Sequence, residues 1–329
     1  MNIIDKFKSR IQASERIIIT THILPDADGI GSQIALCLAL RKLGKTCYCV
    51  NEEDLLERYH YLDKEEVVLG FDHFKKKFPD FTPDMLIVVD TNDLKRTGKK
   101  ISDFFQTTTH LFIDHHPCQK DIEREHCIDT HAAATGQLVG EMILQLGIHL
   151  TKEMALPLYT AILIDTSSFR YPNVTAKTHE LVSELMSTGI RPSQAYNGIY
   201  GTKKVHHMHL LGRILMTAST NKNENVAWIT LRKDDIRDFS SDVEDTHAFI
   251  NNLLILNNIK VACMFREEED YVKMSLRSSG HVDVGSIARN LGGGGHSHSA
   301  AVIFTKDSSL EKVIATAISE IEKDLVSNV

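Results

Sequence analysis

Aspartate and histidine residues follow short apolar runs in the first half of the chain. The runs 17–20, 85–89 and 111–113 have the composition of buried strands. The polar residues that come after these runs are His22, Asp26, Asp28, Asp90, Asp114, His115 and His116. Asp165 ends a fourth apolar run, 159–164, and we expect it to join them. Because ligands bind outside the carboxyl ends of the strands in an open parallel sheet, the pattern predicts one shared site.

This many carboxylates and imidazoles do not share a site without neutralisation, because like charges and burial both raise a carboxyl pKa. One or two divalent cations would offset both effects. Oxygen and imidazole ligands without a thiolate favour Mn²⁺, with Mg²⁺ or Fe²⁺ as alternatives, over a structural zinc ion. Two ions about 3.5–4 Å apart are the usual device for displacement at phosphorus. Each aspartate alone could equally be a helix N-cap or a turn residue, but the joint pattern favours a metal site.

A second group of candidate residues lies near the C-terminus. These residues are Gly292, Gly293, Gly294, Gly295 and His296. Four consecutive glycines are costly unless the backbone must approach a ligand closely, and amides in such a loop can point together at an anion. A bare glycine run is also typical of a flexible loop. Arg277 ends a predicted strand just before the loop, and a guanidinium suits a terminal phosphate, so we predict a substrate-binding loop here.

The elements that must position these residues follow from hydropathy. Short apolar runs separated by helical patterns predict an α/β fold with a doubly wound, mostly parallel sheet. The second half predicts a smaller α+β domain, with strands at 225–231, 260–265, 271–276 and 300–304 and helices at 282–291 and 309–326. We therefore predict a metal-binding catalytic domain over 1–190, a linker over 191–206 and a substrate-binding domain over 207–329, with a cleft between the domains. The segment 158–164 suits either a helix or a strand.

Composition limits the class of partner. The 329 residues include 37 Lys and Arg against 44 Asp and Glu, a net charge of −7, and 42% are hydrophobic. This acidic balance argues against a protein that holds long nucleic acid by bulk charge. The N-terminus lacks the apolar core of a signal peptide, and no run is long enough to cross a membrane. Six cysteines without a C-x-x-C pair indicate reduced thiols, so we expect a cytoplasmic protein.

Four motifs, taken together, resemble the DHH phosphoesterase superfamily. They are HILPDADGIGS, VVDTND, IDHHP and GGGGHSHSAA. The superfamily takes its name from the motif seen here as Asp114, His115 and His116. The resemblance covers nearly the whole chain, as a DHH domain followed by a smaller DHH-associated domain. Length and layout are most similar to the bacterial nanoRNases, the oligoribonuclease/pAp phosphatase branch, whereas RecJ-type exonucleases are longer and family II inorganic pyrophosphatases have a different C-terminal domain.

The resemblance implies a role for each motif residue. The implied ligands are His22 and Asp26 for a first metal ion, Asp28, His115 and Asp165 for a second, and Asp90 for both. His116 would be the catalytic group that faces the substrate phosphate, and Asp114 would orient the histidines. The resemblance also implies that Arg277 and the glycine-rich loop with His296 bind the substrate. Ala27 and Gly29 stand in the reverse order to the family's usual D-G-D-A motif, but both are small enough to keep the ligand geometry.

The implied activity is hydrolysis of short oligonucleotides (nanoRNA), of pAp, or of both, to mononucleotides. The same residues would serve a phosphodiesterase of cyclic-di-AMP or of its linear product pApA. A nucleotide sensor without activity should have lost some of the metal ligands, which this chain retains. An inorganic pyrophosphatase would not need the glycine-rich, arginine-bearing second domain. The implied partner is therefore a small nucleotide and neither long nucleic acid nor a membrane, and homodimers would be in keeping with the resemblance.

Overall fold

Two sheets organise the chain, one in each of two structural units that span residues 1–202 and 203–329. The computed structural model describes residues 3–201, 204–238, 246, 248–278, 282–295, 297–305 and 309–327. Each unit has its own apolar core. None of the helices within these described ranges is long and apolar enough to cross a membrane.

The first unit alternates strands and helices along the chain. Its described strands are β1 (Arg16–Thr20), β2 (Thr46–Asn51), β3 (Val68–Gly70), β4 (Met85–Val89), β5 (Thr109–Asp114) and β6 (Cys127–Ile128). Its described α-helices are α1 (Ile3–Gln12), α2 (Ala27–Lys42), α3 (Phe71–Lys77), α4 (Lys99–Phe104), α5 (Lys120–Glu125), α6 (Thr135–Gln145), α7 (Lys152–Asp165), α8 (Ala176–Ser187) and α9 (Pro192–Tyr200). Short 3₁₀ helices span Glu57–Tyr59 and Leu94–Thr97.

The six strands form one parallel sheet in the order β3-β2-β1-β4-β5-β6. The order reverses between β1 and β4, so the chain winds outward in both directions from this pair, and the predicted doubly wound sheet is confirmed. All five residues of β4 are buried, because helices cover both faces of such a sheet. Since β1, β4 and β5 are neighbours, the polar residues that follow them come to one edge.

Three helices of the first unit approach closely at two glycines. A Cβ atom on Gly31 of α2 would lie 2.3 Å from the carbonyl oxygen of Pro157 in α7. A Cβ atom on Gly136 of α6 would lie 2.5 Å from the Cβ of Ala161, which is also in α7. The lack of side chains at both positions therefore lets α2, α6 and α7 pack against one another. α7 ends at Asp165, one of the predicted ligands.

Residues 158–164 are helical and belong to α7. The helix packs against α2, α6, α8 and α9, and so its apolar residues face several directions and show no helical period in the sequence. This is why hydropathy left helix and strand equally open. Asp165, which ends this apolar run, is the last residue of a helix, whereas the other three runs that precede candidate residues are the strands β1, β4 and β5.

The second unit is an α+β structure, as predicted. Its described strands are β7 (Ser219–Thr220), β8 (Val226–Leu231), β9 (Val261–Glu267), β10 (Tyr271–Ser278), β11 (Gly294–Gly295) and β12 (Ser299–Thr305). Its described helices are α10 (Val205–Leu215), α11 (Lys233–Asp238), α12 (Val284–Asn290), α13 (Leu310–Ser327) and a 3₁₀ helix over Phe249–Ile255. The sheet order is β11-β12-β10-β9-β8-β7. Only β8 and β9 pair in parallel among these strands.

The predicted linker, 191–206, contains the helix α9. Pro192 is its first residue, a position where the missing N–H costs no hydrogen bond. The Gln194 side chain accepts a hydrogen bond from the Arg191 N–H at 2.9 Å, which helps to fix the start of the helix. The proline and polar residues of this segment therefore include the N-terminus of a helix.

Replacing Gly31 by alanine tests the close approach of α2 and α7. The new Cβ atom would overlap the Pro157 carbonyl oxygen, so we expect a loss of about 1–3 kcal/mol in the free energy of unfolding. Gly212→Ala is the matched control, since Gly212 lies in α10 with no atom within 4 Å of its Cβ position. That change should add about 0.5–1 kcal/mol. Urea denaturation measures both, and a Gly31→Ala variant as stable as the parent would contradict the packing described.

Candidate metal centre

Asp90 lies at the middle of the polar cluster where β1, β4 and β5 end. It follows β4 with a positive φ of 62°, a conformation that few residues other than glycine adopt. Its N–H donates to the carbonyl oxygen of Ile113 at 3.0 Å, so β5 holds the turn in place. The residue is 2% exposed, and the Nε2 atom of His22 lies 3.5 Å from its Oδ2. The loop after β1 and the loop after β4 thus meet at this carboxylate.

The first turn of α2 brings two more carboxylates to the cluster. Asp26 is the N-cap, and its Oδ1 accepts hydrogen bonds from the N–H groups of Asp28 at 2.8 Å and Gly29 at 3.3 Å. Asp26 is therefore a helix N-cap, as an isolated aspartate could be. It also belongs to one of the candidate sets of metal ligands. Asp28 is fully buried.

The N-terminus of α6 holds Asp28 and Asp90 together. The N–H groups of Thr135 and Gly136 each donate to an Asp28 carboxylate oxygen at 2.8 Å, and the Thr135 hydroxyl donates to Asp90 Oδ1 at 3.1 Å. The positive end of the helix dipole also favours these anions. Sequence reasoning missed both residues. The available signal was a Thr-Gly pair, which does not reveal its distant partners.

Asp114 orients the second histidine of the DHH motif. Its Oδ1 accepts hydrogen bonds from the backbone N–H groups of His115 at 2.8 Å and His116 at 3.2 Å, and contacts the Nδ1 of His116 at 2.5 Å. Its Oδ2 accepts a hydrogen bond from the Asn92 side chain at 2.8 Å. With both oxygens engaged, the fully buried Asp114 fixes the ring of His116.

His115 faces three carboxylates through one nitrogen. Its Nδ1 lies 3.3 Å from the carbonyl oxygen of Ala132, which fixes the ring from behind. Its Nε2 lies 3.3 Å from an oxygen of Asp165 and 3.9 Å from oxygens of Asp28 and of Asp90. Asp165 is therefore brought to the cluster by α7, although it follows no strand.

Three sets of residues could each hold a metal ion, because one ligand atom from each residue lies within 4.8 Å of the others in its set. The sets are His22, Asp26 and Asp90; Asp28, His115 and Asp165; and Asp90, His115 and His116. All six predicted ligands occur in the first two sets, and Asp114 is in none of the three. The donors are carboxylate oxygens and imidazole nitrogens, so they fit the predicted divalent ions.

The electrostatics of the cluster call for added positive charge. Burial, followed by the neighbouring carboxylates, raises the pKa of Asp28 and of Asp165 to about 7. The same two causes raise the pKa of Asp90 well above its usual value. Burial also acts on Asp114, but its hydrogen bond and charge interaction with His116 outweigh it, so the pKa of Asp114 is lowered. The carboxyl groups of Asp28, Asp90 and Asp165 should therefore release protons when a cation binds.

Three of the predicted substrate-binding residues, Arg277, Gly294 and Gly295, line one pocket of the second unit. A pocket of about 230 Å³ is lined by Lys273, Ser275, Arg277, Gly294, Gly295, Ser299, Ala300 and Ala301. Gly294 and Gly295 form β11 and pair with β12, so half of the glycine run is a strand. Gly292 has a φ of +81° and lies outside the pocket lining, as does Gly293. His296 lies outside the described residues. Sequence reasoning missed Lys273, which shares one face of β10 with Arg277.

Comparison with known proteins gives the family. The model of the DHH family N-terminal domain matches residues 16–162, and that of the DHHA1 domain matches residues 219–323. A Thermus thermophilus protein named bifunctional oligoribonuclease and PAP phosphatase NrnA is 30% identical over 93% of this chain and 90% of its own length. The chain belongs to the DHH family. The predicted resemblance is confirmed, and so is the branch within the family, because relatives with the same name recur.

Two further relatives are similar to this chain over nearly the full length of both proteins. The Bacillus subtilis bifunctional oligoribonuclease and PAP phosphatase NrnA is 27% identical over 93% of this chain and 94% of its own length. A crystal structure of an exopolyphosphatase-related protein from Bacteroides fragilis superposes with a TM-score of 0.87 at 27% identity, covering 98% of this chain and 96% of that one. Both units of this DHH-family chain therefore have counterparts in single relatives.

Thr135→Val tests how α6 supports the cluster. Valine keeps the shape and the backbone N–H to Asp28 but loses the hydroxyl that donates to Asp90. We expect Mn²⁺ affinity to fall by about tenfold, as is common when a partner of a metal ligand is removed. Thr160→Val is the control, because that buried hydroxyl donates to the Leu156 carbonyl within α7. Isothermal titration calorimetry measures both, and equal affinities would contradict a positioning role for Thr135.

Metal binding should strengthen as the pH rises. Asp28 and Asp165, with pKa values raised to about 7 in the metal-free protein, must lose protons before they bind a cation. From about pH 6 to about pH 8 we therefore expect tighter Mn²⁺ binding and net release of protons. Calorimetry in buffers of different ionisation enthalpy counts those protons. A pH-independent affinity with no proton release would show that these carboxyl groups are already ionised.

Proposed function

We propose that this protein is a metal-dependent phosphoesterase that hydrolyses short oligoribonucleotides and pAp to mononucleotides. The observation that carries the proposal is the cluster around Asp90, in which two candidate ligand sets include all six predicted metal ligands. The likeness to proteins named bifunctional oligoribonuclease and PAP phosphatase, over more than nine tenths of the chain, supports the substrate class.

The metal ligands divide into two groups around one shared carboxylate. His22 and Asp26 would hold one ion, and Asp28, His115 and Asp165 the other, with Asp90 contacting both. Manganese is our first choice, since the donors are carboxylates and imidazoles. When bound, two divalent ions activate a water molecule and stabilise the charge that develops at phosphorus. The α6 contacts to Asp28 and Asp90 keep both carboxylates in place before any ion arrives.

His116 would act on the substrate. Asp114 holds its ring through Nδ1, and the lowered pKa of Asp114 keeps the partner carboxylate ionised. Held in this way, the imidazole of His116 can stabilise negative charge on the phosphate or transfer a proton to the leaving oxygen. We therefore assign His116 as the catalytic group and Asp114 as the residue that positions it.

The second unit would contact the part of the substrate away from the reacting phosphate. Arg277 and Lys273 line one pocket with the glycine strand, and together they provide two positive charges for a phosphate group. We assign this role to Arg277, to the loop Gly292–Gly295 and to His296. Free thiols at all six cysteines support the proposal of a cytoplasmic enzyme.

A substrate panel tests the assignment. With Mn²⁺ or Mg²⁺ present, we expect hydrolysis of dinucleotides to pentanucleotides and of pAp, and little hydrolysis of a long single strand. Cyclic-di-AMP and pApA belong in the same panel, because the metal cluster alone would serve them equally. Equal rates on the long strand would refute the short-substrate assignment, and activity on cyclic-di-AMP alone would replace it.

Asp90→Ala and His116→Ala should each abolish hydrolysis of a dinucleotide, with losses of about 10³-fold or more. Asp90→Ala removes a carboxylate that repels its neighbours, so the metal-free fold should survive, which circular dichroism and thermal melting would check. Asp121→Ala is a matched control, because its side chain is 91% exposed and outside the cluster. Normal turnover by either site variant would overturn the mechanism.

A further inference from the structure

A groove next to the metal centre has no role in the mechanism described so far. Its volume is about 520 Å³, and its described lining residues are Asn92, Asp93, Pro117, Cys118, Gln119 and Ile122. These residues come from the loop after β4, the loop after β5 and the first turn of α5. The volume is within the range of about 300–1,000 Å³ that is usual for small-molecule sites.

Asn92 joins this groove to the catalytic residues. Its side-chain nitrogen donates to Asp114 Oδ2 at 2.8 Å and lies 3.4 Å from the carbonyl oxygens of His116 and Pro117. The amide therefore ties the loop that follows Asp90 to the loop that carries His116. The groove thus begins beside the residues to which we assign the reacting phosphate.

The side chains that line the groove favour the base and ribose of a nucleotide over its phosphate group. Asp93 contributes a negative charge, and none of the described lining residues is a lysine or an arginine, so the groove does not suit a phosphate group. Gln119 carries an amide, which matches the donor and acceptor edge of a base, whereas the Asn92 nitrogen is already engaged with Asp114. The Gln119 side chain makes no capping hydrogen bond to α5. Pro117 and Ile122 provide apolar surface for the face of a base.

We propose that this groove binds the nucleoside attached to the reacting phosphate. The inference rests on the proposed function, because the metal centre fixes where that phosphate lies. Asp93 Oδ1 accepts a hydrogen bond from the Lys95 N–H at 2.9 Å. Its second carboxylate oxygen would accept one from a ribose hydroxyl, a contact that acidic residues make to ribose in other nucleotide sites. The base lies against Ile122 and Pro117, and Cys118 is covered when the groove is filled.

Cys118 provides a direct readout of groove occupancy. It is the half-buried cysteine of this chain, whereas the other five are buried. Alkylation of the Mn²⁺-loaded protein by a maleimide should therefore modify Cys118, and Cys118→Ser identifies its signal by mass spectrometry. AMP at about ten times its calorimetric Kd should slow this alkylation by about tenfold, in proportion to the unoccupied fraction. Inorganic phosphate at the same saturation should leave the rate unchanged.

Groove-filling variants give an independent kinetic test. Ile122→Trp should raise the KM for a dinucleotide by about tenfold and change kcat much less, since it removes binding rather than chemistry. Arg124→Trp is the matched control on the same helix, because Arg124 is outside the groove and its side chain is 77% exposed. If thermal melting shows that Ile122→Trp does not fold, Gln119→Ala, at an exposed position, takes its place with the same direction of change.

The outcomes separate this proposal from the proposed function. Hydrolysis of dinucleotides together with unprotected Cys118 in the AMP complex would overturn the groove assignment alone. Equal protection by phosphate, or no binding of AMP, would overturn it as well. Failure of the unmodified enzyme to hydrolyse any nucleotide in the substrate panel would overturn the proposed function instead.

Discussion

Repulsion among buried carboxylates is the constraint on which the first unit depends. Asp28, Asp90 and Asp165 meet at one edge of the sheet, and each has a raised pKa because burial and its neighbours disfavour the charge. A cluster of this kind persists only if other groups compensate it. The N-terminus of α6 supplies two backbone N–H groups and a hydroxyl, and the histidines bring imidazole nitrogens. Divalent ions would supply the remaining positive charge in the enzyme we propose.

The two units have opposite local charge, which suits a substrate with several phosphates. Aspartates dominate the centre in the first unit, whereas Lys273 and Arg277 line the pocket in the second. In the function we propose, metal ions at the first site would attract the reacting phosphate, and Lys273 and Arg277 would attract a second phosphate. The net charge of −7 is therefore an average over unlike sites. It excludes bulk attraction of long nucleic acid without opposing a small phosphorylated ligand.

Features set by neighbours in sequence were predictable, and features set by distant contacts were not. The strands β1, β4 and β5 were evident as short apolar runs, and the residues after them marked the site edge. Thr135 and Gly136 were missed because their partner, Asp28, is more than a hundred residues away in sequence. α7 was ambiguous because burial on several sides removes its helical period. Proline and polar residues favour both loops and helix N-termini, so the sequence alone did not reveal that α9 begins within the predicted linker.

The glycine contacts among α2, α6 and α7 have a consequence for ion selectivity. Asp28 lies one helical turn before Gly31, the α6 donors begin beside Gly136, and α7 leads directly to Asp165. The separation of these groups is thus set by two close helix contacts, Gly31 against the Pro157 carbonyl and Gly136 against the Ala161 methyl group, and a protein interior resists compression or expansion. In the enzyme we propose, a centre built in this way would resist widening to suit a larger cation. It would favour ions of the size of Mg²⁺, with ligand distances of about 2.0–2.1 Å, over Ca²⁺, which needs about 2.3–2.6 Å.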